Sequence, residues 1–315
     1  MHKKIFYLRG GIRLLAGSSH LERGLLFGRT VVWLPIEIAE QLVRDQHIEV
    51  DHPLLTTLAD AGLLSTKRPD RSNRNVAFLD ALTREGSAAA ESLAKTAFII
   101  VGCGGLGSNL AIQLAALGAQ RFVLVDSDRI EESNLNRLIW ADDNDLGSNK
   151  AIALADYLQS RFGSTCMPLA QNARSDVAVI AGEATHDWPF RMVLAIDDPR
   201  SLRDLCGAVH RAGIAYLTLG YVGAVCVVGP SCEEPSDPCP YCHSRRITIT
   251  GGASFIGPSA ICNNTLCAAF AASQLTLSVL GQVSAVRRRV WQMDLSTGQV
   301  DWRDLHKDRQ CLVCR

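Results

Sequence analysis

The apolar positions of this chain change period several times, and each change marks an element. Residues 97–101 (AFIIV) are apolar throughout, as a strand buried on both faces requires; residues 121–125, apolar after Arg121, and 192–196 read the same way. Between them, residues 105–117 and 150–161 carry apolar positions at helical spacing. Strands alternating with helices, the first pair joined by a glycine-rich turn, predict an α/β fold with a doubly wound parallel sheet covered on both faces. Residues 266–280 are apolar nearly all round, which predicts a buried helix with Cys267 in its packing surface.

The chain ahead of this pattern reads differently. Short alternating stretches within 5–15 and 25–34, divided by glycines, predict small strands. Two helices follow over 36–44 and 53–61, the second closing at Gly62 where a C-cap belongs. Residues 1–66 thus form a small strand-and-helix module, residues 67–92 a linker that opens on the polar run KRPDRSNRN, and residues 93–315 the main domain.

Composition narrows the function. The chain has 315 residues, 47% hydrophobic and 20% charged, with 32 basic against 32 acidic side chains. That balance gives no basic field for nucleic acid or an anionic membrane, and the RRR run at 287–289 reads as a solvated face. No signal-peptide layout and no apolar run of about 18 residues is present, so a cytoplasmic protein is expected. In a reducing compartment, eleven cysteines point to metal or buried thiols before disulfides. Four of them form CPYC (Cys239, Cys242) and CLVC (Cys311, Cys314), two knuckles that can supply a tetrahedral thiolate set for a structural zinc ion. Such a site would clip the C-terminal segment to the Pro-rich loop EEPSDPCPYC.

The segment IIVGCGGLGSNL supplies Gly102, Gly104, Gly105 and Gly107, a turn that lets a helix N-terminus approach phosphate. Asp126 ends the next strand, where a carboxylate meets ribose hydroxyls. A two-phosphate nicotinamide cofactor fits equally well up to this point. Beyond it, Asn134 and Arg137 in SNLNR, followed by Lys150, add groups for further phosphates, and these favour ATP.

With these residues assembled, the chain resembles the ThiF/MoeB family of adenylating enzymes, which includes the ubiquitin-activating enzymes. The likeness rests on the glycine loop, Asp126 with Asp128 in DxD, SNLNR, Lys150 thirteen residues after Arg137, Asp197 in LAIDDPR, and the paired CxxC knuckles. It covers residues 70 to 315 and implies a Rossmann-like fold. It implies that Asp126 binds ribose, that Asn134, Arg137 and Lys150 bind phosphates, and that Asp197 binds magnesium, with Asp198 as the alternative ligand. Arg71 and Arg74 resemble an RxxR segment whose second arginine reaches the partner subunit's site, which implies a homodimer. The family's glutamine after the arginine is Leu138 here. A transferable catalytic cysteine is not evident; Cys226, Cys232 and Cys262 are the candidates, each also readable as a buried or incidental thiol.

A separate N-terminal module resembles the peptide-modifying branch of the family, that of the microcin C adenylating enzyme. RSNRN, GYVGAVCVVGP and Asn263–Asn264 carry that finer likeness. It implies that residues 1–66 are a winged-helix-like clamp for the leader of a ribosomally made precursor peptide. The implied reaction is ATP-dependent adenylation of a carboxylate, a glutamate side chain, releasing pyrophosphate and AMP, with intramolecular capture in antibiotic biosynthesis. The alternative is activation of the C-terminus of a ubiquitin-like sulfur carrier protein.

Overall fold

The computed structural model describes residues 5–9, 11–17, 21–66, 73–172, 188–242 and 259–314. The chain divides into two compact units, Met1–Glu91 and Ser92–Arg315.

In the first unit β1 (Ile5–Leu8) lies between β5 (His47–Glu49) and β6 (Leu64–Ser65), antiparallel to both. Strands β2 (Arg13–Ala16), β3 (Glu22–Phe27) and β4 (Thr30–Pro35) form a second, antiparallel sheet. Helix α1 (Ile36–Asp45) stops at Gln46, and α2 (Leu55–Asp60) is followed by Gly62, both residues in the left-handed region that ends helices. Leu8, Leu25, Leu34, Ala39, Leu42, Ile48, Leu58 and Leu63 make one buried cluster beneath these elements.

The stretch read as linker carries helices. Asn73 caps α3 (Arg74–Thr83), its side chain accepting from the backbone N–H groups of Asn75 and Val76. Helix α4 (Gly86–Lys95) follows after a two-residue turn. The physical reason is a buried ion pair. Arg9 Nη1 lies 2.7 Å from Asp80 Oδ1, with the two side chains 8% and 11% exposed, and the same guanidinium donates to the Arg84 carbonyl. The pair fastens α3 to the strand module, so the first unit extends well past residue 66. Arg71 lies outside the described residues.

The second unit holds an eight-stranded sheet, ordered β14-β13-β12-β11-β10-β7-β8-β9. Five of its strands are parallel: β7 (Ala97–Val101), β8 (Arg121–Val125), β9 (Thr165–Leu169), β10 (Phe190–Leu194) and β11 (Tyr216–Val222). β12 (Val225–Cys232), β13 (Arg289–Asp294) and β14 (Val300–Asp304) extend it antiparallel. β7 is the first strand of this sheet in the chain, and later strands are added on both its sides, so the strand order reverses between β7 and β10. In a doubly wound sheet that is where ligands bind. Helices α5 (Gly105–Leu117), α6 (Lys150–Phe162), α7 (Pro199–Arg211) and α8 (Ile261–Val279) complete the unit. The last is longer than its apolar run predicts, because Asn263 and Asn264 are buried in its first turn. Leu138 and Cys267 are both fully buried.

The arginine run is solvated in part, with Arg288 exposed, whereas Arg287 turns to a buried acid. Arg287 Nε lies 3.1 Å from Asp237 Oδ2, whose side chain is fully buried, and Arg287 Nη2 lies 2.6 Å from Glu234. Arg289 pairs with Asp304 and covers the Trp302 ring. A fully buried carboxylate needs a partner, and the arginines supply it across 50 residues of sequence that no local pattern spans.

Replacing Asp80 with alanine leaves Arg9 buried without a counter-charge. Asp80→Ala is therefore expected to lower the stability of the first unit by about 3–5 kcal/mol. Chemical denaturation followed by Trp33 fluorescence measures it. A loss below about 1 kcal/mol would show that the pair behaves as an exposed one.

Candidate active site

The glycine turn sits at the strand-order reversal because backbone comes too close there for any side chain. Gly102 has φ +93°, and a Cβ on it would lie 2.3 Å from the Ala195 carbonyl oxygen at the end of β10. A Cβ on Gly107 would lie 1.8 Å from the Gly102 carbonyl oxygen. At Gly105 the obstacle is the Asn264 side chain, 2.8 Å away, whereas Gly104 faces open space. Gly102 and Gly107 are thus required by packing against backbone. Gly104 is the N-cap of α5, and a Cβ there would meet no described atom within 4 Å, room of the kind an anion needs at a helix N-terminus.

Asp126 is held against this turn. Its Oδ2 accepts from the Cys103 N–H (2.7 Å) and its Oδ1 from the Asp128 N–H (2.8 Å). Burial nevertheless raises its carboxyl above the usual range, with those hydrogen bonds and Lys150 working in the opposite direction. Lys150 Nζ lies 3.0 Å from Asp128 Oδ2. The lysine starts α6, so the ammonium, the two carboxylates and the turn form one group.

Arg137 extends that group through α5. Asn109 Nδ2 donates both to the Gly105 carbonyl (2.7 Å) and to the Arg137 carbonyl (3.2 Å). The Arg137 guanidinium donates to the Ser133 carbonyl and to Asn136 Oδ1. Asn134 is 6% exposed, and its Oδ1 accepts from the Glu131 N–H, so its amide shapes the 3-10 turn over Glu132–Asn134. β10 ends at Leu194, two residues earlier than its apolar run predicts, which leaves Asp197 exposed beyond the strand. Asp198 is the N-cap of α7, its carboxylate held below the usual range by hydrogen bonds from Ser201. Arg74 is exposed at the start of α3, in the first unit.

Two asparagines and a lysine stand outside the sequence reading. Asn109 ties the glycine turn to its surroundings and Asn149 caps α6, whereas Asn264, which carries part of the family likeness, lies against Gly105. Asn149 was open to detection, since an Asn directly before a helical run is a start signal. Lys307 belongs to the cysteine cluster described next.

Cys239, Cys242, Cys311 and Cys314 are all buried, with their sulfurs within 4.8 Å of one another. The separations are 3.6 Å for Cys239 to Cys311, 3.9 Å for Cys239 to Cys242 and 3.5 Å for Cys242 to Cys314. Four thiolates bonded to zinc at about 2.3 Å lie about 3.8 Å apart, so the cluster has the size of a zinc site. The sulfur contact between Cys239 and Cys242 pushes the one thiol up and the other down from the ordinary range. Lys307 Nζ reaches Cys314 Sγ (3.2 Å) and the carbonyls of Pro235 and Asp237, and lies 2.7 Å from His210 Nε2. The C-terminal knuckle packs on α7, where Arg211 donates to the Val313 carbonyl at 2.8 Å.

Most of the remaining thiols are buried. Cys226 and Cys232 are buried, and burial pushes both up, Cys232 to about 12. Cys262 is exposed in the first turn of α8.

A nucleotide-type turn at the order reversal of a doubly wound sheet, with a lysine, an arginine and three acids around it and a four-cysteine cluster behind, defines a class of phosphate-handling α/β proteins. Residues 73–313 match the ThiF family, and the chain belongs to it. Among curated relatives, adenylyltransferase and sulfurtransferase MOCS3 of Xenopus laevis is 42% identical over 67 residues, 21% of this chain and 15% of that protein. The SAMP-activating enzyme E1 of Haloferax volcanii is 34% identical over 140 residues, 42% of this chain and 50% of that protein. The matched segments thus span half or less of these relatives. The fold is that of E. coli MccB, solved with MccA-N7isoASN, at TM-score 0.81 and 17% identity over 99% of this chain and 100% of that one. PaaA follows at TM-score 0.69 and 18% identity over 94% and 99%.

If the four cysteines hold zinc, Cys311→Ser is expected to lower metal content and melting temperature together. Metal analysis alongside thermal denaturation tests it. A zinc-free variant with the melting temperature of the parent would remove the structural role.

Proposed function

We propose that this chain adenylates a carboxylate of a ribosomally made precursor peptide, using ATP and releasing pyrophosphate and AMP. The observation that carries the reading is the gathering of Asp126, Asp128 and Lys150 on the Gly102–Gly107 turn, with the Arg137 backbone joined to it through Asn109. The glycine turn and α5 N-terminus would take phosphate, Asp126 the ribose, and Arg137, Lys150 and Asn134 the outer phosphates. Asp197 would hold magnesium, which supplies charge neutralisation to the triphosphate when bound.

A peptide carboxylate, with an ordinary pKa near ~4, is ionised at neutral pH and needs no strong base. Its oxygen attacks the α-phosphorus, and the bond to pyrophosphate breaks with that bond's electron pair leaving on pyrophosphate. Lys150 and Arg137 favour the step by facing the charge that develops on the leaving group. A nitrogen of the same peptide then attacks the activated carbonyl, AMP departs, and the nitrogen's proton passes to solvent. The burial and raised pKa of Cys226 and Cys232 support capture by the substrate itself.

MccB, the microcin C7 biosynthetic enzyme, has been solved with ATP and with MccA, and the likeness to it extends over 99% of this chain, first unit included. That extent supports the first unit as a leader clamp and a precursor peptide as partner. Its sheet β2–β3–β4 offers a shelf on which Leu15 and Leu26 are half-buried, Val31 is 36% exposed and Trp33 48% exposed. Gly24 leaves room for the Trp33 ring, which a Cβ there would meet at 3.1 Å. Such a shelf, with open strand edges beside it, suits an extended peptide. A homodimer in which Arg74 completes the partner's site, a cytoplasmic location and a role in peptide antibiotic biosynthesis belong to the same reading. The second reading, activation of a ubiquitin-like carrier protein's C-terminus, draws on the names of MOCS3 and the SAMP-activating enzyme.

Incubation with ATP and the small peptides encoded beside the gene is expected to yield AMP and pyrophosphate. Lys150→Ala should reduce the rate on the order of 10²–10³-fold. ADP as the sole nucleotide product would end the adenylation reading, and turnover of a carrier protein but of no peptide would select the second.

The clamp is better tested by substitution than by deletion, because removing residues 1–66 also removes Arg9 from Asp80. Trp33→Ala is expected to raise the KM for a full-length precursor about 10-fold or more, with the KM for ATP unchanged. An unchanged precursor KM would rule out this shelf as the docking face.

A further inference from the structure

The carboxamide of Asn149 uses all of its hydrogen-bonding positions. Its Oδ1 accepts from the N–H groups of Ala151 (3.0 Å) and Ile152 (3.2 Å), capping α6. Its Nδ2 donates to the carbonyl oxygens of Asp126 (3.0 Å) and Asp128 (3.2 Å). The Lys150 N–H reaches the same Asp128 carbonyl at 2.9 Å. The acceptors on one side and the donors on the other leave a single orientation for the amide, since a flipped one would set oxygen against two carbonyls.

A helix cap alone does not require this residue. Asp, Ser and Thr all cap well, because capping needs only an acceptor. The carboxamide does a second thing that none of them can, which is to donate to two carbonyls of the Asp126–Asp128 turn while accepting from the first turn of α6. Lys150 is the first residue of that helix, and its four-carbon stem is flexible. Where its ammonium can reach is set by where its backbone is pinned relative to Asp126, Asp128 and the glycine turn. The pin is the Asn149 side chain together with the Lys150 N–H bond. Both lie on a short antiparallel bridge between Arg129 and Asn149.

We infer that Asn149 is a positioning residue for Lys150: it locks the start of α6 to the Asp126–Asp128 turn so that the ammonium stands over the phosphate site. The inference rests on the adenylation reading and adds to it a residue that touches neither nucleotide nor peptide. Misplacing a reacting group by about 1 Å costs up to about 10²-fold in rate, so a pin of this kind is worth a measurable factor.

The test uses the full chain with Asn149→Asp and Asn149→Ser, each alone and combined with Lys150→Ala. Both substitutions keep a capping oxygen and lose the donation to the two carbonyls. The measurements are kcat and KM for ATP in AMP release, with melting temperature. Each Asn149 variant is expected to lower kcat/KM for ATP about 10-fold while melting within about 3 °C of the parent. On the Lys150→Ala background the same substitutions should cost less than about 2-fold, because residues acting through one group are not additive. Parental kcat/KM in both variants, or an equal further loss on the Lys150→Ala background, would overturn the inference. Equal rates for the parent and Lys150→Ala would overturn the phosphate role of Lys150, and this inference with it. Should Asn149→Asp melt early, Asn149→Ser decides, since it introduces no charge beside the two acids.

Discussion

The contact on which the rest of the molecule depends is backbone against backbone at the junction of β7 and β10. Gly102, in a left-handed conformation, meets the Ala195 carbonyl where a Cβ would stand only 2.3 Å away, and Gly107 meets Gly102 more closely still. That approach brings the end of β7, the end of β10 and the start of α5 to one point. It places the exposed Asp197 region beside the helix N-terminus and directs the α5 N–H groups into open space at Gly104. Any other residue at Gly102 or Gly107 would separate those elements, and with them the groups they carry.

Around that point, neutral amides do the fastening and charges are left for chemistry. Asn109 bonds the glycine turn to Arg137, Asn149 bonds the Asp126–Asp128 turn to α6, and Asn264 lies flat against Gly105 while donating to the Ala260 carbonyl. In Asn149 the carboxamide gives and accepts within one planar group, so it joins two backbone segments without adding charge to a site proposed to receive an anion. Among the described residues Lys150 pairs with Asp128; the lysine side chain is 12% exposed and the carboxylate 67%, so the acid is the partner that water reaches.

Charge is used differently behind the sheet. Asp237, fully buried, takes Arg287 and two backbone N–H groups, and the loop it anchors leads directly to Cys239. Lys307 donates to the carbonyls of that loop and to Cys314. The two knuckles, 72 residues apart in sequence, are thus brought together by ion pairs and hydrogen bonds as well as by thiol contact. A zinc ion would close an arrangement already largely built, with Lys307 offsetting part of the thiolate charge.

By itself, the sequence determined the elements whose signals are local. Continuous apolar runs marked β7 and β8 to the residue, helical spacing marked α5 and α6, and the paired CxxC knuckles marked the buried cysteine cluster. The glycine, aspartate, arginine and lysine positions of the site were legible for the same reason, since each lies at a junction between such elements. The tertiary structure alone decided the rest. It made helices of the linker from Arg74 onward, where the partner of Asp80 is Arg9, 71 positions earlier. It paired Arg287 with Asp237 where the sequence indicated solvent, and ended β10 before Ala195, where the close approach to Gly102 takes over. It also assigned the asparagines, whose identity is ordinary and whose role depends on which carbonyls happen to face both ends of one amide. Periodicity records what a residue does within its own element, whereas a bond between elements leaves no trace in the spacing of either.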